Sequence, residues 1–406
     1  MASRTPLPPA NADGKPTRQG PHDGSRTHRL VIEEFAQIRR VDLEFGDLTV
    51  LVGAQATGKS LALQWLKLAV DELEIADALR EAGFTLKTPG DAVDAYLGEG
   101  MHAAMRADTK ITFDRRRIRP EALTRKRASK DARRRSMFLI PAHRALLLSE
   151  GWPAPFMKLG ADTPMVARLF SQALYERLSK PRTTTVFPQE RVLVKDIRDR
   201  IDASVFHGAQ VRLQTQGLRR RLELSYGDVG LPFMTWTAGQ REFAPLLLGL
   251  YSVLPERKER KVEDLEWVVV EEPEMGLHPR AIATVMILVL DLLWRGYRVV
   301  LSTHSPLVLD VVWALQQFKH PRANVKDLAK ALGLKSRDAV TKLTAAVGKD
   351  FRVHYFRHDE QNKVTSKDIS RLDPGSEDSA MSEWGGLTQF GTSLSEAVAR
   401  IPEDET

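Results

Sequence analysis

Large apolar residues near the start of the chain fall into three short runs, Leu30 to Phe35, Val41 to Phe45 and Leu48 to Val52, broken by turn-forming residues. That pattern predicts β-strands. The period then changes: Ala62, Leu66, Ala69 and Leu73 recur at intervals of four, three and four, which predicts a helix that Gly83 and Pro89 interrupt. Residues 81 to 218 mix helical patterns with strands expected at Lys110 to Phe113 and Met137 to Ile140, and hold no sustained heptad repeat. Further strands are expected at Val211 to Gln214, Leu222 to Tyr226 and Phe233 to Trp236. After these come a helix from about Gly239, a buried strand Trp267 to Val270, a helix from about Pro279, a buried strand Val299 to Ser302, a helix from about Pro306 and a strand Phe351 to Phe356. Apolar strands alternating with helices predict an α/β fold with a parallel sheet covered on both faces. The expected organisation is a disordered tail over 1–28, a head formed by 29–80 and 219–406, and a mixed, mainly helical insertion over 81–218.

Composition narrows the classes. At 406 residues the chain can bury a real core. It has no cysteine, which excludes a disulfide framework, a thiolate metal site and a cysteine nucleophile. The apolar stretch Ala281 to Leu290 is far shorter than the ~18 residues of a membrane span. Residues 1–28 carry five prolines and three glycines with no apolar h-region, so no secretory signal is read and a cytoplasmic location without membrane partners is expected.

The net charge of +7 is concentrated. Residues 115–135 hold eleven Arg or Lys against Glu121 and Asp131, a local net of +9, so the rest of the chain sums to −2. Arg115, Arg116, Arg117, Arg125, Lys126, Arg127, Arg133, Arg134 and Arg135 are the candidates for a polyanion patch facing DNA, RNA or an acidic protein. The segment has no aromatic residue for base stacking, so a nucleic-acid contact there would be phosphate-directed; a solvated surface fits equally.

Gly53-Ala54-Gln55-Ala56-Thr57-Gly58-Lys59-Ser60 matches the phosphate-binding pattern G-x-x-x-x-G-K-[ST], between an expected strand and an expected helix. Its backbone N–H groups and helix N-terminus would cradle phosphates, Lys59 would bridge the β and γ phosphates of ATP, and Ser60 would hold Mg2+. Val268 to Val270 lead into Glu271 and Glu272, paired carboxylates at the end of a buried strand. Glu271 is assigned to Mg2+ and Glu272 to the general-base role. Thr237, Ala238, Gly239 and Gln240 open a helix whose N-terminus can meet a second phosphate-bearing surface, and His304 follows a buried strand where it can donate to the γ phosphate. Each alone also suits a plain structural role, Thr237 as an N-cap and His304 as a core histidine.

The order of these four motifs resembles the ABC-class ATPases, with Gly239 lying 32 residues before Glu271 and His304 lying 32 after Glu272. The opening Ile32-Glu33-Glu34-Phe35 to Gly53 pattern and the Glu271-Glu272-Pro273-Glu274 run resemble the SMC, RecF and OLD-like members, and among these the stand-alone ATPases of the PARIS anti-phage system. The chain departs from the pattern at Glu271, where relatives carry Asp, at Thr237-Ala238, and at His278, which takes the D-loop Asp position. No Q-loop glutamine is found; Ile140 to Arg144 occupies that place. The resemblance implies an ATPase using ATP and Mg2+, in which Thr237 to Gly239 of one copy complete the site of another in a homodimer or higher oligomer. It also implies a separate Toprim-type nuclease subunit, since no D-x-D pair for a nuclease is found here, and a phage-encoded trigger protein or nucleic acid. A RecF-like ATPase acting in DNA maintenance is the alternative.

Overall fold

The computed structural model describes residues 27–124, 135–181, 183–217, 219–255 and 259–401. The tail expected over 1–28 lies outside them as far as residue 26. Its boundary is corrected, because His28 opens the first strand, its ring stacked on Phe113 and its Nδ1 2.6 Å from Asp114.

In chain order the elements are β1 (His28–Phe35), β2 (Ile38–Phe45), β3 (Leu48–Gly53), α1 (Lys59–Glu81), α2 (Pro89–Leu97), β4 (Met105–Phe113), β5 (Arg116–Arg117), β6 (Met137–Ile140), α3 (Met165–Ser179) and β7 (Thr185–Phe187). There follow α4 (Lys195–Ile201), β8 (Gln210–Gln216), β9 (Arg219–Tyr226), β10 (Val229–Pro232), α5 (Ala238–Val253), β11 (Trp267–Glu271), α6 (Pro279–Arg295), β12 (Arg298–Thr303) and α7 (Pro306–Gln317). The last are α8 (Val325–Ala331), α9 (Arg337–Val347), β13 (Phe351–His358), β14 (Val364–Asp368), α10 (Ser379–Ser382) and α11 (Gln389–Ala399).

Ten strands form one sheet in the order β5-β4-β1-β2-β14-β13-β3-β12-β11-β6. Its half from β13 to β6 is wholly parallel, the arrangement expected from the alternation of apolar strands and helices. Alternate residues serve opposite faces. Met137, Leu139, Trp267, Val269 and Val300 pack towards α1, whereas Phe138, Ile140, Val268, Val270 and Leu301 pack towards α5, α6 and α7. Strands buried on both sides need apolar residues at every position, which is why they read as continuous runs. Segment 81–218 supplies β4, β5 and β6 to this sheet, and β7 and β8 to a second, antiparallel sheet of order β10-β9-β8-β7.

The strand expected at Phe233 to Trp236 is a 3-10 turn over Phe233–Thr235 instead. Pro232 has no N–H to extend a ladder. The Trp236 indole then donates back to Leu231 O at 2.9 Å and closes the turn.

Helix α1 departs from helical geometry at Asp71 (φ −120°, ψ 33°). There the Asp71 carboxylate accepts from Lys67 Nζ at 2.5 Å, Ser136 N–H at 2.8 Å and Met137 N–H at 3.0 Å, so the helix is bolted to the start of β6. Burial raises the Asp71 pKa against the pull of Lys67. No helix among the described residues is long and apolar enough to cross a membrane.

Candidate nucleotide-binding site

Strand β3 is buried along its whole length and lies between β12 and β13, so the loop after it emerges at the middle of the sheet's edge. Gly53 ends the strand at φ +142°, and a Cβ there would sit 2.3 Å from Phe356 O. Only glycine fits so close an approach in that conformation. Gly58, at φ +84°, precedes the first residue of α1. Gln37 Nε2 donates to Ala56 O at 2.9 Å and the Thr57 hydroxyl to Ala54 O at 2.8 Å, which fixes the crown of the loop. Lys59 folds back over it, its Nζ 2.8 Å from both Gly53 O and Ala54 O. Burial pulls its pKa down to about 8, opposed by Glu272 and Glu274. At neutral pH it remains a cation aimed at the loop's own carbonyls, the groups a phosphate would displace.

The register Glu271↔Ser302 and Thr303↔Val52 brings the ends of β11, β12 and β3 level. Glu271 is buried; its Oε2 accepts from Ala142 N–H at 3.1 Å, while Oε1 has no hydrogen-bond partner among the described residues. Burial pushes its pKa up to about 7, with Glu272 adding to the rise and the Ala142 N–H and the nearby Ser60 hydroxyl holding it back. A buried carboxylate oxygen without a partner beside a hydroxyl fits a hard divalent cation such as Mg2+. No group of three or more Asp, Glu or His that could hold a metal occurs among the described residues, so such a cation would share its shell with nucleotide oxygens and water.

Glu272 takes φ +43°, uncommon for a residue with a side chain, and its N–H is held by Ser302 O at 2.9 Å. The backbone reversal turns its carboxylate to His304, whose Nε2 lies 3.6 Å away. That imidazole, with Lys59, keeps the Glu272 carboxyl below the usual carboxylate range in spite of burial. The two adjacent glutamates are thus driven apart, one towards neutrality and one towards ionisation.

Lys59, Ser60, Glu271, Glu272 and His304 therefore converge. Thr237, Ala238, Gly239 and Gln240 are held in another place, against the turn that follows β11: a Cβ on Gly239 would lie 3.0 Å from Gly276 O. Thr237 and Gln240 form a capping box, and Gln240 Nε2 donates to Val205 O at 3.1 Å, so this glutamine is engaged within its own chain. Thr237 and Ala238 are exposed. His278 caps α6, its Nδ1 accepting from Arg280 N–H at 3.3 Å.

Two further residues, Glu274 and Arg144, hold the site together. Glu274 Oε1 accepts from the Thr303 hydroxyl at 2.9 Å and from His304 N–H at 2.5 Å, which fixes the histidine loop. Arg144, wholly buried, donates to five carbonyls, those of Pro141, Ala142, Glu242, Glu271 and Glu272, at 3.1 to 3.4 Å. It follows β6, the place reserved for a Q-loop, and ties that segment to both glutamates.

Of the basic segment, Arg125, Lys126, Arg127, Arg133 and Arg134 lie outside the described residues. Three described members bond back to the chain. Arg116 donates to Ala69 O at 2.6 Å and Glu72 at 2.9 Å; Arg135 pairs with Glu74 at 2.6 Å. Arg117 Nη2 donates to Thr109 O at 3.4 Å, and Arg115, Arg116 and Arg117 are all exposed.

Residues 186–310 match the family model described as "AAA domain, putative AbiEii toxin, Type IV TA system". That stretch is similar to an AAA-type ATPase domain and covers less than a third of the 406 residues. No curated protein sequence matches it. Among solved structures, the SMC head domain from Thermotoga maritima is similar at 12% identity and a TM-score of 0.35, over 84% of this chain and 98% of that one. The SmcHead bound to the C-winged helix domain of ScpA is similar at 10% and 0.37, over 70% and 91%. CbiO1 from Clostridium perfringens, part of the ABC transporter complex cbiONQ, is similar at 12% and 0.31, over 69% and 80%.

Proposed function

We propose that this chain is an ATPase that binds ATP with Mg2+ between two copies of itself and hydrolyses it. The observation that carries the reading is the meeting of Lys59, Ser60, Glu271, Glu272 and His304 at one edge of the parallel sheet. Lys59 leaves the loop carbonyls for the β and γ phosphates. Ser60 and Glu271 hold Mg2+, which when bound neutralises charge on the phosphate oxygens. Glu272, kept ionised, accepts the proton of the attacking water, and His304 donates towards the γ phosphate. Thr237 to Gln240 of the second copy close the site, with the exposed Thr237-Ala238 tip as the contacting part.

The larger role we infer is that of a cytoplasmic sensor or scaffold subunit in an anti-phage complex, whose ATP state controls a separate Toprim-type nuclease and responds to a phage-encoded protein or nucleic acid. The motif order and the toxin description of the matching family support it. A DNA-maintenance ATPase would differ in having its turnover stimulated by DNA with a steep salt dependence.

The test is nucleotide binding and turnover by the purified chain. Lys59→Ala is expected to lose ATP binding. Glu272→Gln is expected to bind ATP, turn over at least 100-fold more slowly and accumulate as a multimer. Wild-type turnover in Glu272→Gln would remove the base assignment, and a co-purifying nuclease, identified by mass spectrometry, is the result expected for the larger role.

A further inference from the structure

The two ends of a nucleoside triphosphate need different surroundings, and the strand order gives each end its own side of the phosphate loop. Strand β3 lies between β12 and β13. Glu272 and His304, set at the terminal phosphate in the reading above, follow β11 and β12. A triphosphate laid along the loop with that end at Glu272 therefore points its other end to the β13 side. Strand β13 runs parallel to β3 and pairs with it as far as Gly53↔Phe356, so it too ends at this edge.

A cavity of about 440 Å3 opens there, within the ~300–1,000 Å3 of small-molecule sites. It is lined by Ala54 and Thr57 of the loop, Tyr355 and Arg357 of β13, and Glu383 and Gln389 from the segment after β14. That segment is firmly seated. The Trp384 indole donates to Asp310 at 2.8 Å, and Gly385 packs so tightly that a Cβ would lie 2.8 Å from Val52 and 3.0 Å from the Tyr355 ring.

The polar groups of the lining divide into committed and free. Asp378 accepts from Lys367 Nζ at 2.6 Å and from Ala380 N–H at 3.2 Å. The half-buried Glu383 carboxylate has no hydrogen bond or ion pair among the described residues. The exposed Arg357 guanidinium has no hydrogen bond among them either. A free carboxylate can take both protons of a ribose diol in charge-assisted bonds. A free guanidinium can lie on the face of a heteroaromatic ring or donate to its nitrogens. The apolar surface of Tyr355 and Ala380 between them suits the remainder of a base.

We infer that this cavity receives the nucleoside of the bound nucleotide, its ribose hydroxyls on Glu383 and its base beside Arg357, so that the chain selects ribonucleoside triphosphates. The inference deepens the phosphate-loop reading given above, rests on it, and needs only one copy of the chain.

Isothermal titration calorimetry of the full chain with Mg2+ compares ATP, 2′-deoxyATP and inorganic triphosphate, which offers phosphates to the loop and nothing to the cavity. The parent is expected to bind ATP about tenfold more tightly than 2′-deoxyATP, the worth of one hydrogen bond to a charged acceptor. Glu383→Ala should weaken ATP about tenfold, bring ATP and 2′-deoxyATP within roughly twofold of each other, and leave inorganic triphosphate unchanged. Ser379→Trp, at an exposed position of the lining, should fill the cavity, weakening ATP and sparing inorganic triphosphate. Melting temperatures check that both variants are folded, and Glu383→Ala decides alone where the tryptophan is not tolerated. Parental ATP affinity in the folded variants, with ATP binding lost in Lys59→Ala, overturns the nucleoside assignment and leaves the phosphate loop standing. A parent indifferent to the 2′-hydroxyl, or a Glu383→Ala that weakens inorganic triphosphate as much as ATP, overturns it too. ATP binding that persists at full strength in Lys59→Ala overturns the loop reading and this inference together.

Discussion

Arg144→Met tests whether one buried cation holds the catalytic edge in shape. Methionine has similar reach and no donor, so the substitution leaves five carbonyls, three at buried and two at partly buried contacts, without the guanidinium. The contacts are long, 3.1 to 3.4 Å, which places each near the low end of the range for a charged donor, about 1.5 kcal/mol. Relief from burying the charge works against that loss; burial already lowers the Arg144 pKa. Removing one member of a buried charged set typically costs ~3–5 kcal/mol, and with the long contacts we expect about 3 kcal/mol. At roughly 2 °C per kcal/mol for a large chain, the melting temperature should fall by roughly 6 °C. Thermal and urea unfolding without nucleotide measure the loss, and ATP turnover should fall with it, since the peptide turn at Glu272 loses a restraint. Arg144→Lys, with a charge but no planar fork, should lie between the two. A methionine variant that melts within 1 °C of its parent and hydrolyses ATP at the parental rate would refute the clamp.

Gly53→Ala places a methyl group against Phe356 O at a backbone angle alanine rarely adopts, so it should cost about 1–3 kcal/mol and weaken nucleotide binding with it; parental melting and affinity would show that the loop can yield. His354, buried with Nε2 on Glu44 O at 2.8 Å, has its pKa lowered chiefly by burial. A histidine held neutral in the fold binds protons more readily unfolded, so stability should fall as pH drops below about 6.5. Urea midpoints between pH 7.5 and 5.5 should show His354→Phe with a flatter acid limb than the parent, and parallel limbs would contradict the assignment.

Much of the parallel sheet is legible in the chain because its strands are covered twice. Met137 to Ile140 and Trp267 to Val270 are apolar at every position and could hardly be surface loops. Strand β14 carries Thr365, Ser366, Lys367 and Asp368 and leaves no such trace; it exists through pairing with β13 and β2. Phe233 to Trp236 shows the opposite failure, four residues suited to a strand that Pro232 forces into a turn. At the candidate site, Lys59, Ser60, Glu271 and Glu272 are visible because they stand in contiguous motifs, Gly53 to Ser60 and Val268 to Glu272. Arg144 is not, since its work consists of bonds to carbonyls between two and about 130 positions away, and a carbonyl has no side-chain signature. Glu274 was in plain sight within a run of acids, and only its bonds to Thr303 and His304 separate it from them.

The neighbour of β3 on one side is β13, paired from Leu48↔Phe351 to Gly53↔Phe356, some three hundred residues downstream. During synthesis the loop after β3 leaves the ribosome long before the strand that completes its sheet on that side. Until Phe351 to Phe356 emerge, β3 offers an unprotected ladder of N–H and C=O groups flanked by valine and leucine, an adhesive edge of the kind that chaperones cover. The loop after β3 therefore cannot take its final form until Phe351 to Phe356 have been translated, and ribosomes stalled before that point should hold chains prone to aggregation.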